Sequence, residues 1–557
     1  MSAQSYLLRG GQVYTMDPGR PWAQCVVVRG KMITYAGPET GAASFTDPGT
    51  EVIEADGGMV LPGFIDAHNH LAGSGAMAKL GVDLNGLSDP AEILATIGGY
   101  AASCPGSAVI RGSGWMAAYF ENGSPTREML DEVVSDRPAA ILSSDSHDLW
   151  FNTAAMHACG LDRSTEDPDP GSQYYVRDAA GWPSGHAVEV APIMTMLAAL
   201  GAFTEEGIRD AQELTLTPAP SWGITGYLEA GILLGPNQNA QPVYEDLVAR
   251  DNAGQLPVRI VGTVWTRQPD DDPASVVATL RDWNKRIKSE HVTISVQKMW
   301  ADGTAFNGGA LLLAPFEDSK DGSPGQMTFP PDHIERQIEL TQLAGFDSHI
   351  HIDADGSARV VLDAIEAVQR RHGRGTARHT VCHNTIVHPD DVKRFAELGV
   401  IANCTPLWGT DYDGTFYDTY LAKLGAGRME ERLYPYGDLV RSGALVTYGS
   451  DIPGVRISEI APLTQIEAAV TRKRPGFPGD RALVPRQRVD LHDALRGYTI
   501  NAAYQLRLDD KAGSLEAGKH ADLTVLAENL FGVAPEEIHN VPVKLTMMDG
   551  RITHDTR

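Results

Sequence analysis

Basic residues are the first scarcity. The chain of 557 residues holds 46 Lys and Arg against 72 Asp and Glu, a formal net charge of −26. A surface that acidic repels phosphate backbones and anionic lipid, which argues against nucleic acid or a membrane surface as partner. Cysteine is scarce too. Only Cys25, Cys104, Cys159, Cys382 and Cys404 occur, with no CxxC spacing among them, so neither a disulfide framework nor a thiolate zinc site is expected. Long apolar runs are missing. No stretch of about 18 apolar residues is present to span a bilayer, and the opening MSAQSYLLRGGQVYTMD carries no signal-peptide core. These absences lead to the expectation of a soluble, cytoplasmic protein. What is present is a globular balance, 42% hydrophobic and 21% charged residues. The length suits several domains or one large barrel with additions, with a core that needs no disulfide staples.

The two ends differ in texture from the middle. Tyr6–Met16, Gln24–Arg29, Met32–Ala36 and Glu51–Glu54 read as short strands separated by Gly turns. Ala521–Leu526 and Val543–Met548 read the same way, and Asp549-Gly550 forms a hairpin turn before Arg551. Both ends are therefore expected to build one small β domain from residues 1–61 and 513–557. Between them, residues 62–512 alternate apolar β runs with amphipathic helices such as Pro273–Glu290, Pro330–Leu343 and Ser357–Gln369. The β runs are Gly63–Ala67, Ile224–Leu228, Val258–Val264, Thr293–Met299, Asp347–His351, Thr380–His383, Val400–Asn403 and Leu445–Gly449. Eight strands alternating with helices predict an α/β fold, a (β/α)8 TIM barrel. The long gap after the first run predicts a large insertion at about residues 71–222, with an acidic loop at Asp162–Asp178.

Metal-ligand residue types recur at the ends of these runs, where barrel enzymes keep their chemistry. His68 and His70 are two apart and face one side of a strand. His351 and His383 end two later runs, and Asp451 follows the last in Gly449-Ser450-Asp451. Imidazoles with one carboxylate suit Zn2+, with Mn2+, Fe2+ or Co2+ as alternatives, for one or two ions. Trp115, Trp150, Trp300 and Trp408 stand near these segments, as an aromatic substrate pocket requires, although the same residues would serve as ordinary core.

These residues carry a resemblance. The segment Leu61-Pro62-Gly63-Phe64-Ile65-Asp66-Ala67-His68-Asn69-His70 opens a series of motifs that continues with Ser143-Ser144-Asp145-Ser146-His147 and Asn152. Lys298-Met299-Trp300-Ala301-Asp302-Gly303, His351 with Asp355, His383, Gly449-Ser450-Asp451 and the segment from Gly513 to Leu523 complete it. In this order the chain resembles the amidohydrolase superfamily, in its family 3 branch with N-substituted formamide deformylase-like proteins. The resemblance implies a barrel with a β-sandwich built from both termini. It implies a carboxylated Lys298 as an anionic ligand between two metals. It favours His351 over His349 as ligand, because of the spacing to Asp355, which would border the centre on the substrate side. It makes His147 and Asp302 candidates for stabilising an oxyanion, with His147 on an insertion that folds over the barrel mouth. One departure stands out. Related sequences carry Glu-His where this chain has Cys382-His383; strand alternation turns Cys382 away from His383, so Cys382 is expected to pack rather than ligate.

The expected activity is hydrolysis of an amide or formamide-type C–N bond in a small hydrophobic or aromatic substrate by a metal-activated hydroxide. Asp451 would take the water proton and pass it to the leaving nitrogen. A deaminase, an ester or lactone hydrolase or a decarboxylase on the same scaffold is the alternative within enzymes. A catalytically silent, metal-free scaffold is the alternative outside them. A homo-oligomer is compatible with the size.

Overall fold

The computed structural model describes residues 4–71, 81–144, 146–171, 173–234, 239–320 and 322–557. Its centre is one sheet of eight strands: β1 (Phe64–Asn69), β2 (Ile224–Glu229), β3 (Arg259–Thr266), β4 (Val292–Trp300), β5 (Asp347–Ile352), β6 (Thr380–His383), β7 (Ile401–Cys404) and β8 (Val446–Tyr448). Spatial order follows chain order from β1 to β8, and every ladder is parallel. Each strand lies on one of the eight apolar runs, with ends shifted by two residues at most. In β1, β2, β5, β6, β7 and β8 every residue is buried, because a parallel barrel strand has side chains on one face and helices on the other. The fold is an α/β TIM barrel.

The helices form for local reasons. Asp272 caps Pro273–Arg286 by accepting from the backbone N–H groups of Ala274 and Ser275, and Pro273 takes the first helical position. Its buried stripe is Val276, Val277, Leu280 and Trp283. It stops before the expected Glu290, because Ser289 turns the chain through a backbone bond to Val292 at the head of β4.

Side chains close the seam between β8 and β1. Gln505 donates to the Ala67 carbonyl at 2.9 Å, and the Asp451 N–H donates to the His68 carbonyl at 2.9 Å. The Asp66 carboxyl accepts from the Ser450 N–H at 3.1 Å and its hydroxyl at 2.6 Å. Burial pushes the Asp66 carboxyl up to about 6, against those hydrogen bonds.

Two β layers flank the barrel. A four-stranded sheet runs Met32–Gly37, Cys25–Arg29, Ser5–Arg9, Glu51–Glu54. A six-stranded sheet runs Arg551–Asp555, Val543–Met548, Leu523–Leu526, Met59–Pro62, Gln12–Tyr14, Trp22–Ala23, and so mixes strands from both ends of the chain. The segment between β1 and β2 makes another six-stranded sheet, in the order Tyr174–Arg177, Pro183–Val188, Asp148–Phe151, Ala139–Ser143, Ile110–Trp115, Val82–Asp83. It has its own core, which includes Leu84, Ile93, Ile97, Leu130, Trp115 and Trp150. Among the described residues no helix is long and apolar enough to cross a membrane.

Candidate metal centre

At the C-terminal end of the barrel, β1, β6 and the loop after β8 aim four side chains at one point. His68 Nε2 lies 3.2 Å and His70 Nε2 3.4 Å from Asp451 Oδ1, and His383 Nδ1 lies 3.5 Å from Asp451 Oδ2. Tetrahedral ligation with bonds of about 2.0–2.1 Å sets donor atoms roughly 3.4 Å apart, so these donors already stand at the edges of a coordination polyhedron. The buried nitrogens His68 Nε2, His351 Nε2 and His383 Nδ1 have no hydrogen-bond partner. Orphaned buried nitrogens facing a carboxylate are what a cation would satisfy.

Local chemistry fixes the ring orientations. His70 Nδ1 meets the Gly231 carbonyl at 2.6 Å, which leaves Nε2 toward the centre. His68 Nδ1 meets His349 Nε2 at 2.8 Å, one layer deeper in the barrel. His349, the residue set aside in favour of His351, thus orients His68, while the ring of His351 packs 4.4 Å from that of His383. Burial, followed by the Lys298 charge, lowers His68 to about 3 and holds His349 and His351 well below the usual imidazole value. Burial and the neighbouring His351 do the same to His383. Neutral imidazoles are the ligating form. Burial would raise the Asp451 carboxyl, but His68 and His383 outweigh it and keep it ionised well below the usual range. Asp451 itself sits at φ 54°, the left-handed turn that swings its carboxylate across the β8–β1 seam.

Lys298 is buried in β4, opposite His349 in register. Its Nζ donates to Cys382 Sγ at 3.5 Å. Cys382 is fully buried in the core, and its Sγ also lies within 4.8 Å of ligand atoms of both His68 and His383. Strand alternation fails there because His383 (φ 72°) and Asn384 (φ 53°) take left-handed backbone, so Cys382 and His383 both face inward. Burial pushes the Cys382 thiol up to about 12, with Lys298 opposing.

A cavity opens over the centre. Its walls include His70, His147, Trp300, His351, Trp408 and Asp451. His147 stands at the start of one insertion strand and Glu189 at the end of its antiparallel neighbour, where Asp148 pairs with Val188. His147 Nδ1 meets Glu189 Oε2 at 2.7 Å, and Glu189 also accepts from the Thr304 N–H and hydroxyl. Burial opposes ionisation of Glu189, yet the His147 charge and these hydrogen bonds hold it below the usual carboxylate value. Glu189 escaped the reading of the sequence, as did Asp353, a cavity residue that burial raises to about 6. Asp353 had a legible signal, the same-face spacing His349, His351, Asp353; Glu189 had none.

Other expectations need correction. Trp115 and Trp150 do not line the cavity. Both are fully buried in the insertion core, donating to the Ile141 and Thr126 carbonyls. Asp355 is a buried structural carboxylate, paired with Arg432 at 2.7 Å and accepting from the Leu313 N–H. Asp302 is absent from the cavity wall. It accepts from the N–H groups of Asp353 and Ala354 and lies 3.8 Å from His351 Nε2. Asp145 lies outside the described residues.

Residues 51–554 match the amidohydrolase family. The N-substituted formamide deformylase of Arthrobacter pascens is 27% identical, over 99% of this chain and 98% of its own length. Protein LONG AFTER FAR-RED 3 of Arabidopsis thaliana is 26% identical, over 98% and 91% respectively. An uncharacterized metal-dependent hydrolase from Pyrococcus furiosus superposes with a TM-score of 0.69 at 22% identity, covering 94% of this chain and 99% of that one.

Proposed function

Because this chain belongs to the amidohydrolase family, we propose that it is a metal-dependent hydrolase that cleaves a non-peptide C–N bond, of the amide or formamide type, in a small substrate with a hydrophobic or aromatic part. The observation that carries this reading is the convergence of His68, His70 and His383 on the Asp451 carboxylate at 3.2–3.5 Å. These four residues would hold a divalent ion, Zn2+ first and Mn2+, Fe2+ or Co2+ as alternatives, and His351 beside His383 offers a donor for a second. Such an ion supplies Lewis acidity, bringing the pKa of water toward neutrality and polarising a carbonyl oxygen.

The remaining work falls to side chains. Asp451, kept ionised by its imidazole neighbours, accepts the proton of the attacking water and delivers it to the leaving nitrogen. His147, held by Glu189, donates to the carbonyl oxygen as negative charge develops there. Trp300 and Trp408 pack the apolar part of the substrate. The similarity to a formamide deformylase supports the bond class. The resemblance also implies a carbamate on Lys298, whose Nζ lies 3.5 Å from Cys382 Sγ.

The test is metal removal against a substrate panel. Chelation should abolish hydrolysis of N-alkyl and N-aryl formamides or acyl amides, and added Zn2+ or Mn2+ should restore it. Protein that binds no divalent ion and gains nothing from added metal would overturn the reading in favour of a silent scaffold. Turnover confined to esters, lactones, deaminase substrates or aromatic acids would keep the metal and overturn the bond class.

A further inference from the structure

We infer that Cys382 is a metal ligand, its thiolate standing with His68 and His383 as the anionic donor of the centre in place of a carbamate on Lys298. The inference rests on the metal-dependent reading above and names one more donor within it. Three observations carry it. The ligand atoms of His68, Cys382 and His383 all lie within 4.8 Å of one another, and all three residues are buried. Two of these partners, His68 Nε2 and His383 Nδ1, are buried nitrogens without a hydrogen-bond partner, so the thiol faces donors that are themselves waiting for a cation. The third observation is Lys298, fully buried, whose Nζ donates to this sulfur. A buried Nζ needs a hydrogen-bond acceptor, and the Cys382 sulfur supplies it.

The backbone explains why this chain can use a sulfur here. The left-handed turn at His383 brings two consecutive residues of β6 to the inner face, so one strand end supplies an imidazole and a thiolate together. His68 belongs both to the group with Cys382 and His383 and to the group with His70 and Asp451. Ligation breaks the S–H bond and forms a sulfur–metal bond; the proton leaves to solvent and nothing is oxidised or reduced. A thiolate among imidazoles favours Zn2+ and Co2+ over the harder Mn2+ and Mg2+.

Cobalt reads this out without reference to activity. The purified protein is stripped with chelator and reloaded with Co2+. The expected spectrum has visible ligand-field bands and, in addition, a near-ultraviolet sulfur-to-cobalt charge-transfer band. Cys382→Ser should lose the charge-transfer band, keep the visible bands and bind Co2+ at least ~10-fold more weakly. Cys25→Ser, in the β-sandwich, should keep both features. Should Cys382→Ser fail to fold, the wild-type spectrum still decides. Ligand-field bands without the charge-transfer band overturn the thiolate and leave the metal-dependent reading standing. Absence of any cobalt binding overturns both. A carbon dioxide adduct on Lys298 in the intact mass also overturns the inference.

Discussion

The proposed function asks two tasks of the Asp451 carboxylate, those of ligand and of proton acceptor. Its Oδ1 faces His68 and His70 and its Oδ2 faces His383, at 3.2–3.5 Å. Asp451→Asn preserves the shape and removes the proton acceptor. Its kcat should fall by at least ~100-fold, the lower end of what a general base contributes, while circular dichroism and the melting transition stay close to those of the parent. Near-full activity in that variant would remove Asp451 from the proton path. His147 is placed by a different logic. It belongs to the insertion, and its partner Glu189 follows the neighbouring strand, so one antiparallel register brings the pair together with His147 at the cavity.

At the level of elements, the seam between β8 and β1 decides where the carboxylate sits. Gly449 runs so close to β1 that a Cβ there would fall 2.5 Å from the His68 backbone nitrogen. Gly449→Ala must push the two strands apart. It should cost about 1–3 kcal/mol of stability, the usual price of overpacking, and lower metal affinity as well, since His68 and Asp451 are joined through this contact. A variant with unchanged melting temperature and unchanged affinity would contradict it. The same elements show what was legible in the amino-acid order. The eight strands were, because each is a β-branched run between helices. The gathering of His68, His70, His383 and Asp451 was, because barrel strands deliver their ends to one place. The inward turn of Cys382 was not, since alternation assumes extended backbone and His383 departs from it. Trp115 and Trp150 misled because nearness in sequence to a motif says nothing of which side of a sheet a ring joins. Glu189 was invisible because only the folded register brings it to His147.

Across the whole molecule, one buried carboxylate ties the terminal β layer to the bottom of the barrel. Asp549 accepts from His291 at 2.9 Å and pairs with Arg259, His520 and Lys31; Asp251 holds the other nitrogen of His291 at 2.6 Å. Burial lowers the His291 imidazole, with Arg259 adding to that effect, but the hydrogen bonds it donates to Asp549 and Asp251 raise it above its usual value overall. A folded pKa above the unfolded one stabilises fully below about pH 6.5, and that contribution is lost as pH rises through the folded value. The melting temperature should therefore decline above neutrality, and His291→Gln should flatten that decline; an identical slope in both proteins would assign it elsewhere. The sheet that Asp549 belongs to also dictates timing. Met59–Pro62 pairs with Leu523–Leu526, and His68 waits for Asp451. At roughly 5–20 residues per second on the ribosome, the first strands stand unpaired for on the order of half a minute or more. Throughout that interval the nascent chain carries an apolar strand without its partner and an HxH pair without Asp451.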